Sequence, residues 1–272
     1  MRVPFLMYHA VQRAGDPPSQ EGEADPVYTV ALDQFEQQLA YLRRAGFHTI
    51  TLAEYLAWHR DQAPLPSKPI VLTFDDGHPS HLELVLPRLS QYHFRGLFGV
   101  VPGWVGTPRS VSLEGIRTLQ AAGMEVISHG MTHVPLTELQ IPMIRKELKD
   151  SRLQLEAWLG QPVKHVAIPR GYSSLRVRQI AYEVGYQTVL TSQPGYNGLE
   201  ADPYSLARLP IKAHHQLSDF AAIIEAHPTR RLLDLGGYLV RRGAKRVLGV
   251  KGYDKVRQRL LGMPMEGVSS NA

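Results

Sequence analysis

The sequence has no cysteine among its 272 residues, which excludes thiolate nucleophiles, Cys-ligated zinc, iron–sulfur clusters and disulfides at once. It also lacks any uninterrupted apolar run near the roughly 20 residues that a membrane-spanning helix needs, because charged or proline-rich stretches break every candidate. The stretch from Met1 to His9 carries one basic residue and an apolar run too short for a secretory core, with no small-residue cleavage site behind it. The chain is therefore expected in the cytoplasm. No internal repeat and no low-complexity linker divides it. What is present is a chain with 43% hydrophobic and 20% charged residues, enough to bury a full core, at a length normal for a single α/β barrel.

Charge is unevenly placed. Between Pro228 and Gly262 ten Lys and Arg residues stand against Asp234 and Asp254 alone, so this segment carries +8 in a chain of formal charge +5 and the remainder is −3. An acidic body argues against nucleic-acid binding, and no interleaved aromatic residues suggest it for the tail. Val240, Val247, Leu248, Val250, Val256, Leu260 and Leu261 lie among the cations, a composition that suits helices resting on an anionic bilayer surface. Such a tail would make the protein peripheral at the inner face of the membrane. The plainer alternative is a solvated basic helix pair whose apolar residues pack back on the body. Glycines at 243, 249 and 252 favour short helices over one long one. Two parts are thus expected: a catalytic barrel over residues 1–227 and a basic helical extension over 228–272.

Before that tail, short apolar runs alternate with amphipathic stretches, which is the α/β pattern. Strands are predicted at residues 5–9, 48–50, 69–74, 96–101, 124–128, 163–168, 188–191 and 207–211, mostly apolar throughout, as parallel strands covered on both faces should be. Helices are predicted at residues 33–45, 52–60, 81–92, 113–122, 142–159 and 175–184. Most of them stop at a glycine, and Thr51 with Glu54 forms a capping box at the start of the second. Seven or eight such units predict a barrel. Residues 12–29, polar and rich in Pro and Gly, predict a surface loop.

Two strand ends carry chemistry. Ile70-Val71-Leu72-Thr73-Phe74 runs directly into Asp75-Asp76-Gly77. Asp is disfavoured in strands, so the pair marks a carboxyl end, where α/β barrels build their active sites. Adjacent carboxylates repel unless a cation or a proton shares the site, although an Asp-Gly turn would also read this way. Val126-Ile127-Ser128-His129-Gly130-Met131-Thr132-His133 is a second apolar strand ending in polar residues, with histidines four apart. That spacing lets two imidazoles converge if the chain turns helically after the strand, and alone it also fits an ordinary loop pair. Opening on one face of one barrel, a carboxylate and two imidazoles make a three-ligand site with positions left for water, and the second carboxylate is free to act as a base.

These residues resemble the polysaccharide deacetylases of the NodB-homology type, carbohydrate esterase family 4. Thr73-Phe74-Asp75-Asp76-Gly77 is similar to the family's first motif, His129-Gly130-Met131-Thr132-His133 to its second, and Ala167-Ile168-Pro169-Arg170-Gly171-Tyr172 to its third. The resemblance spans about residues 3–212 and implies a distorted (β/α)7 barrel and a divalent-metal hydrolase of N-acyl sugars. It implies Asp76, His129 and His133 as metal ligands and Asp75 as the general base. Ala167 stands where the third motif usually has an Arg, which removes the usual partner of the base. Arg170 stands where a Tyr is common, and its backbone N–H could still serve as the oxyanion donor. The late Leu-x-His motif that supplies the general acid is not evident. Phe5-Leu6-Met7-Tyr8-His9 ends in a histidine instead, which is similar to the circularly permuted poly-N-acetylglucosamine deacetylases and implies His9 as the acid.

The expected activity is removal of N-acetyl groups from an amino-sugar polysaccharide or glycan precursor, with Zn2+ the metal best suited to two imidazoles and a carboxylate. Two rivals stand beside it: deacetylation or deformylation of a lipid-linked or small N-acyl sugar, and a non-catalytic carbohydrate-binding barrel. Trp104, Arg170 and Tyr172 are expected at the substrate. His78 and His81, which follow the Asp pair and could reach the site, are expected instead as surface histidines at a helix start, and Arg208 as an ion pair closing the last strand rather than a substrate contact.

Overall fold

The computed structural model describes residues 1–16, 25–171 and 173–260. The strands are β1 Val3–Tyr8, β2 Val11–Gln12, β3 Val30–Ala31, β4 His48–Thr49, β5 Pro69–Phe74, β6 Leu97–Val100, β7 Glu125–Ser128, β8 His165–Ala167, β9 Thr188–Leu190, β10 Tyr196–Asn197 and β11 Leu209–Pro210. The helices are α1 Leu32–Arg44, α2 Leu52–Asp61, α3 Leu86–Tyr92, α4 Leu113–Ala121, α5 Ile141–Leu159, α6 Leu175–Glu183, α7 Leu217–Ile224 and α8 Pro228–Leu260. All eight predicted strands and all six predicted helices have counterparts here. Two differences stand out. The predicted helix after the Asp pair opens with a π-helical turn, His81–Val85, before α3, and α7 was not foreseen. The expected 12–29 loop falls partly outside the described residues.

Parallel strands β1, β5, β6, β7, β8 and β9 follow one another around a curled sheet, with β4 on the free part of β5 and antiparallel β10 on the start of β1. The segment leading into β11 joins the two ends. The Leu206 N–H donates to the Val189 carbonyl at 2.9 Å, the Thr191 N–H donates to the Leu206 carbonyl at 2.8 Å, and β11 pairs in parallel with β1.

Strand periodicity of two then sorts the side chains. Val3, Phe5, Val71, Leu97, Ile127, Ala167 and Leu190 form one apolar cluster with Leu52, Tyr55, Leu56 and Trp58 of α2. Alternate residues such as Leu72, Phe74, Phe98 and Val126 pack in a second cluster with residues of α1, α3, α4 and α5. The same period that aligns Val71 also aligns Thr73 and Asp75, and the one that aligns Ile127 also aligns His129. Asp75 and His129 therefore continue the barrel-side column at its carboxyl end.

Helix α8 runs with a break at Gly249, whose φ of 67° and ψ of 166° are not helical. Leu232, Leu233, Leu239, Val240, Val247 and Leu248 on it are exposed. Among the described residues no helix is long and apolar enough to cross a membrane.

Candidate active site

Asp75 follows β5 directly, and its N–H donates to the Tyr8 carbonyl at 2.9 Å, which ties it to the end of β1. The carboxylate is only 2% exposed. Arg208, placed just before β11 and fully buried, donates from Nη1 to Asp75 Oδ1 at 2.7 Å and from Nη2 to Oδ2 at 2.8 Å. Two further donors of Arg208 are used as well: Nη1 reaches Thr73 Oγ1 at 3.1 Å and Nε reaches the Thr191 carbonyl at 2.9 Å. Burial would raise the Asp75 carboxyl, but the Arg208 guanidinium and the neighbouring His129 outweigh it and hold it at about 2. Arg208 is thus the ion pair foreseen from the sequence, and its partner is the first-motif aspartate. Ala167 offers no guanidinium in the third motif, and Arg208 brings one to Asp75 from the segment before β11.

One residue on, the chain turns. Asp76 has a φ of 75°, His133 of 63° and Arg170 of 56°, a left-handed conformation that costs non-glycine residues on the order of 1–3 kcal/mol each. Three such residues at one barrel mouth mark a place where side-chain direction outweighs backbone comfort. Gly130, between the two histidines, has a φ of 74°, and a Cβ there would lie 2.9 Å from the Pro169 ring. The second and third motifs therefore pack against each other.

Asp76 Oδ1 lies 3.3 Å from His129 Nε2 and 3.2 Å from His133 Nε2. It is nevertheless buried without a hydrogen bond of acceptable geometry. His129 Nδ1 sits 2.8 Å from the Ala167 carbonyl. A carbonyl only accepts, so Nδ1 carries a proton, and in the neutral imidazole it is Nε2 that turns its lone pair to Asp76. The three candidate ligand atoms all lie within 4.8 Å of one another. Burial raises the Asp76 carboxyl, yet His133 and His129 outweigh burial and drive it well below the usual range. For His129 burial is likewise outweighed, by Asp75 and Asp76, and its pKa is raised; for His133 burial prevails and its pKa is lowered. A buried carboxylate oxygen left without a hydrogen bond between two imidazole nitrogens fits a divalent cation with nitrogen and oxygen preferences.

His9 follows β1 at the same mouth, close enough that its charge acts on both Asp75 and Asp76. Its ring lies 4.8 Å from that of Tyr28, and its Nδ1 is buried with no hydrogen-bond partner among the described residues. His81 corrects the surface expectation. It is fully buried against Phe74 and Phe98, and its Nε2 donates to the His9 carbonyl at 2.7 Å. Burial, first of all, brings its pKa down to about 3, so it is a neutral anchor for the His9 backbone. A histidine five positions after an Asp pair carries no sequence sign of that inward turn. His78 is half-buried, with Nδ1 2.8 Å from Ser80 Oγ.

Of the expected substrate residues, Trp104 is half-buried with its ring 4.8 Å from that of His133, and the Arg109 guanidinium lies over it at 4.3 Å. Arg170 is exposed, and its positive charge reaches His133. Tyr172 lies outside the described residues.

The family profile described as Polysaccharide deacetylase matches residues 62–189, which include all three motifs. The peptidoglycan-N-acetylglucosamine deacetylase of Bacillus cereus is 30% identical over 139 residues, covering 51% of this chain and 62% of that protein. The poly-beta-1,6-N-acetyl-D-glucosamine N-deacetylase of Escherichia coli is 36% identical over 80 residues, 29% of this chain and 12% of that one. Among solved structures, a Streptococcus pyogenes deacetylase, PplD, in complex with acetate superposes with a TM-score of 0.74 at 26% identity, covering 82% of this chain and 98% of that one. Sequence motifs, barrel and profile therefore converge on the polysaccharide deacetylases, whose family profile residues 62–189 match and whose solved structures share this fold.

Proposed function

We propose that this chain is a divalent-metal N-deacetylase that hydrolyses the acetamide of N-acetylated amino-sugar polymers or their glycan precursors. The observation that carries the reading is Asp76 Oδ1, buried and unpaired between His129 Nε2 and His133 Nε2, beside an ionised Asp75. Asp76, His129 and His133 would hold the metal, and zinc suits that donor set best. When bound, such a cation polarises an amide carbonyl and acidifies water. Asp75 accepts the proton of the attacking water, held in one orientation by the two parallel bonds from Arg208. The Arg170 backbone N–H is the candidate donor to the tetrahedral oxyanion. As the C–N bond breaks, His9 gives a proton to the departing amine, and acetate and a free amino sugar result. Trp104, and Tyr172 beyond the described residues, would border the sugar ring.

The test is a matched assay. Zinc-loaded protein is expected to release acetate from N-acetylglucosamine oligomers, to lose that activity on chelation and to regain it on zinc readdition. Oligomer binding without acetate release by the loaded protein would replace this reading with a non-catalytic carbohydrate-binding barrel.

A second reading, acyl removal from a lipid-linked or small N-acyl sugar, is favoured by α8. Its exposed Leu and Val residues lie on a segment carrying +8. Each basic residue near an anionic bilayer is worth about 1 kcal/mol, enough in sum to hold the protein peripherally at the inner face of the membrane. Co-sedimentation with anionic vesicles at low salt, and release at high salt, is the expected outcome. Protein that stays in the supernatant with anionic vesicles overturns the membrane reading.

A further inference from the structure

Between His129 and His133 lie three residues whose course decides whether the second imidazole meets Asp76. Nothing in a Gly-Met-Thr tripeptide sets that course, and His133 pays for it with a φ of 63°. The loop must therefore be held from outside. Glu147, in the second turn of α5 and buried, reaches into it: Oε2 accepts the Met131 N–H and the Thr132 N–H, both at 3.0 Å, and Oε1 accepts the Thr132 hydroxyl at 2.7 Å. Two successive backbone N–H groups thus share one carboxylate oxygen, an anion-binding nest formed by the protein's own side chain. On the opposite side the Met131 carbonyl accepts the Gly103 N–H at 2.9 Å, and a Cβ at Gly103 would lie 2.6 Å from that carbonyl oxygen. Next to Glu147 on the inner face of α5, Ser151 Oγ lies 2.6 Å from Ser128 Oγ, at the end of β7. Helix α5 is thereby fastened to both ends of the same turn.

We propose that Glu147 is a positioning residue for the metal site, resting on the assignment of His129 and His133 as ligands. It sets the direction of the Met131 and Thr132 peptides and through them brings His133 Nε2 to Asp76. Without it two loop amides lose their acceptor, and the site must be ordered by the cation itself. Groups that orient metal ligands through hydrogen bonds alter affinity by about 10–100-fold when removed.

The experiment measures zinc affinity by chelator competition and records the visible spectrum of the cobalt-substituted protein, with no turnover required. Glu147→Ala is expected to bind zinc about 10–100-fold more weakly, with an altered cobalt spectrum and unchanged far-ultraviolet circular dichroism. Glu147→Gln, which keeps an acceptor oxygen for the two amides, is expected to restore affinity to within a few-fold of the native protein. Glu147→Asp, too short to reach both amides, covers the case in which the alanine variant does not fold, and is expected to weaken binding without loss of the fold. Folded variants that lower the melting temperature but bind zinc as the native protein does overturn the proposal alone, as does a glutamine variant no better than alanine. A native protein that binds no zinc or cobalt overturns the proposed function together with this inference.

Discussion

Asp75→Asn is expected to leave bound metal in place and to lower turnover by about 10²–10⁴-fold, the usual scale for a general base, whereas Asp76→Asn is expected to lose the metal and the activity together. The two carboxylates are neighbours in sequence but sit in different environments. Both Asp75 oxygens are engaged by Arg208, while Asp76 Oδ1 faces two imidazole nitrogens. The Asn at position 75 still offers one oxygen to Arg208, so the variant should remain folded although its ion pair is gone. Metal analysis of both purified variants, beside acetate release, separates the roles. Equal metal loss in the two would contradict the division of labour.

The second large effect is expected from Arg208→Met. Removing one partner of a buried ion pair costs about 3–5 kcal/mol, because the other charge is left uncompensated in a poorly solvating interior. Asp75 is held at about 2 in the folded chain, below the roughly 3.9 of an unfolded aspartate. Its folded pKa is depressed, so the stability it contributes is fully present above the unfolded value and is lost as pH falls through about 2. Without the guanidinium, the burial that now loses the contest pushes the carboxyl upward. A carboxyl raised above its unfolded value makes stability fall, not rise, with increasing pH through the acid range. The acid limb of kcat/KM should move to higher pH in parallel, since the base must be ionised to accept a proton. Arg208→Lys is expected to fall between, because an ammonium supplies charge but not two parallel bonds in one plane. Urea unfolding from pH 3 to 7, with pH–rate profiles, tests this. A methionine variant of native stability and unshifted profile would show that Arg208 does not govern the base.

How much of this was legible beforehand depends on distance along the chain. The strands at 69–74 and 124–128 read correctly because short apolar runs, Ile70–Leu72 and Val126–Ile127, give way to polar and charged residues, and a strand end is a local event. Helix α2 announced itself through the Thr51 and Glu54 capping box, which forms as anticipated. Helix α7 was missed although Phe220, Ile223 and Ile224 are buried on it. At eight residues it makes about two turns, too few for a helical period to stand out from the sequence. His81 misled because a helix-start histidine is ordinarily exposed, and here a π-helical turn carries it inward against Phe74 and Phe98.

By itself the sequence determined which residue types could do chemistry and where along each strand they fell: an Asp pair after one apolar run, a His-Gly-x-x-His turn after another, a lone histidine after the first. The tertiary structure alone decided which of them meet. Arg208 and Asp75 are 133 positions apart, and nothing local links them. They pair because the segment before β11 closes the ring between β9 and β1, and closure delivers the guanidinium to the end of β5. The same holds for Glu147 and the loop before α5, and for His81 beneath His9. Ligand identity is a property of short motifs, whereas the orientation of a ligand or a base is set by partners that only the folding of the whole barrel brings within a hydrogen bond's length.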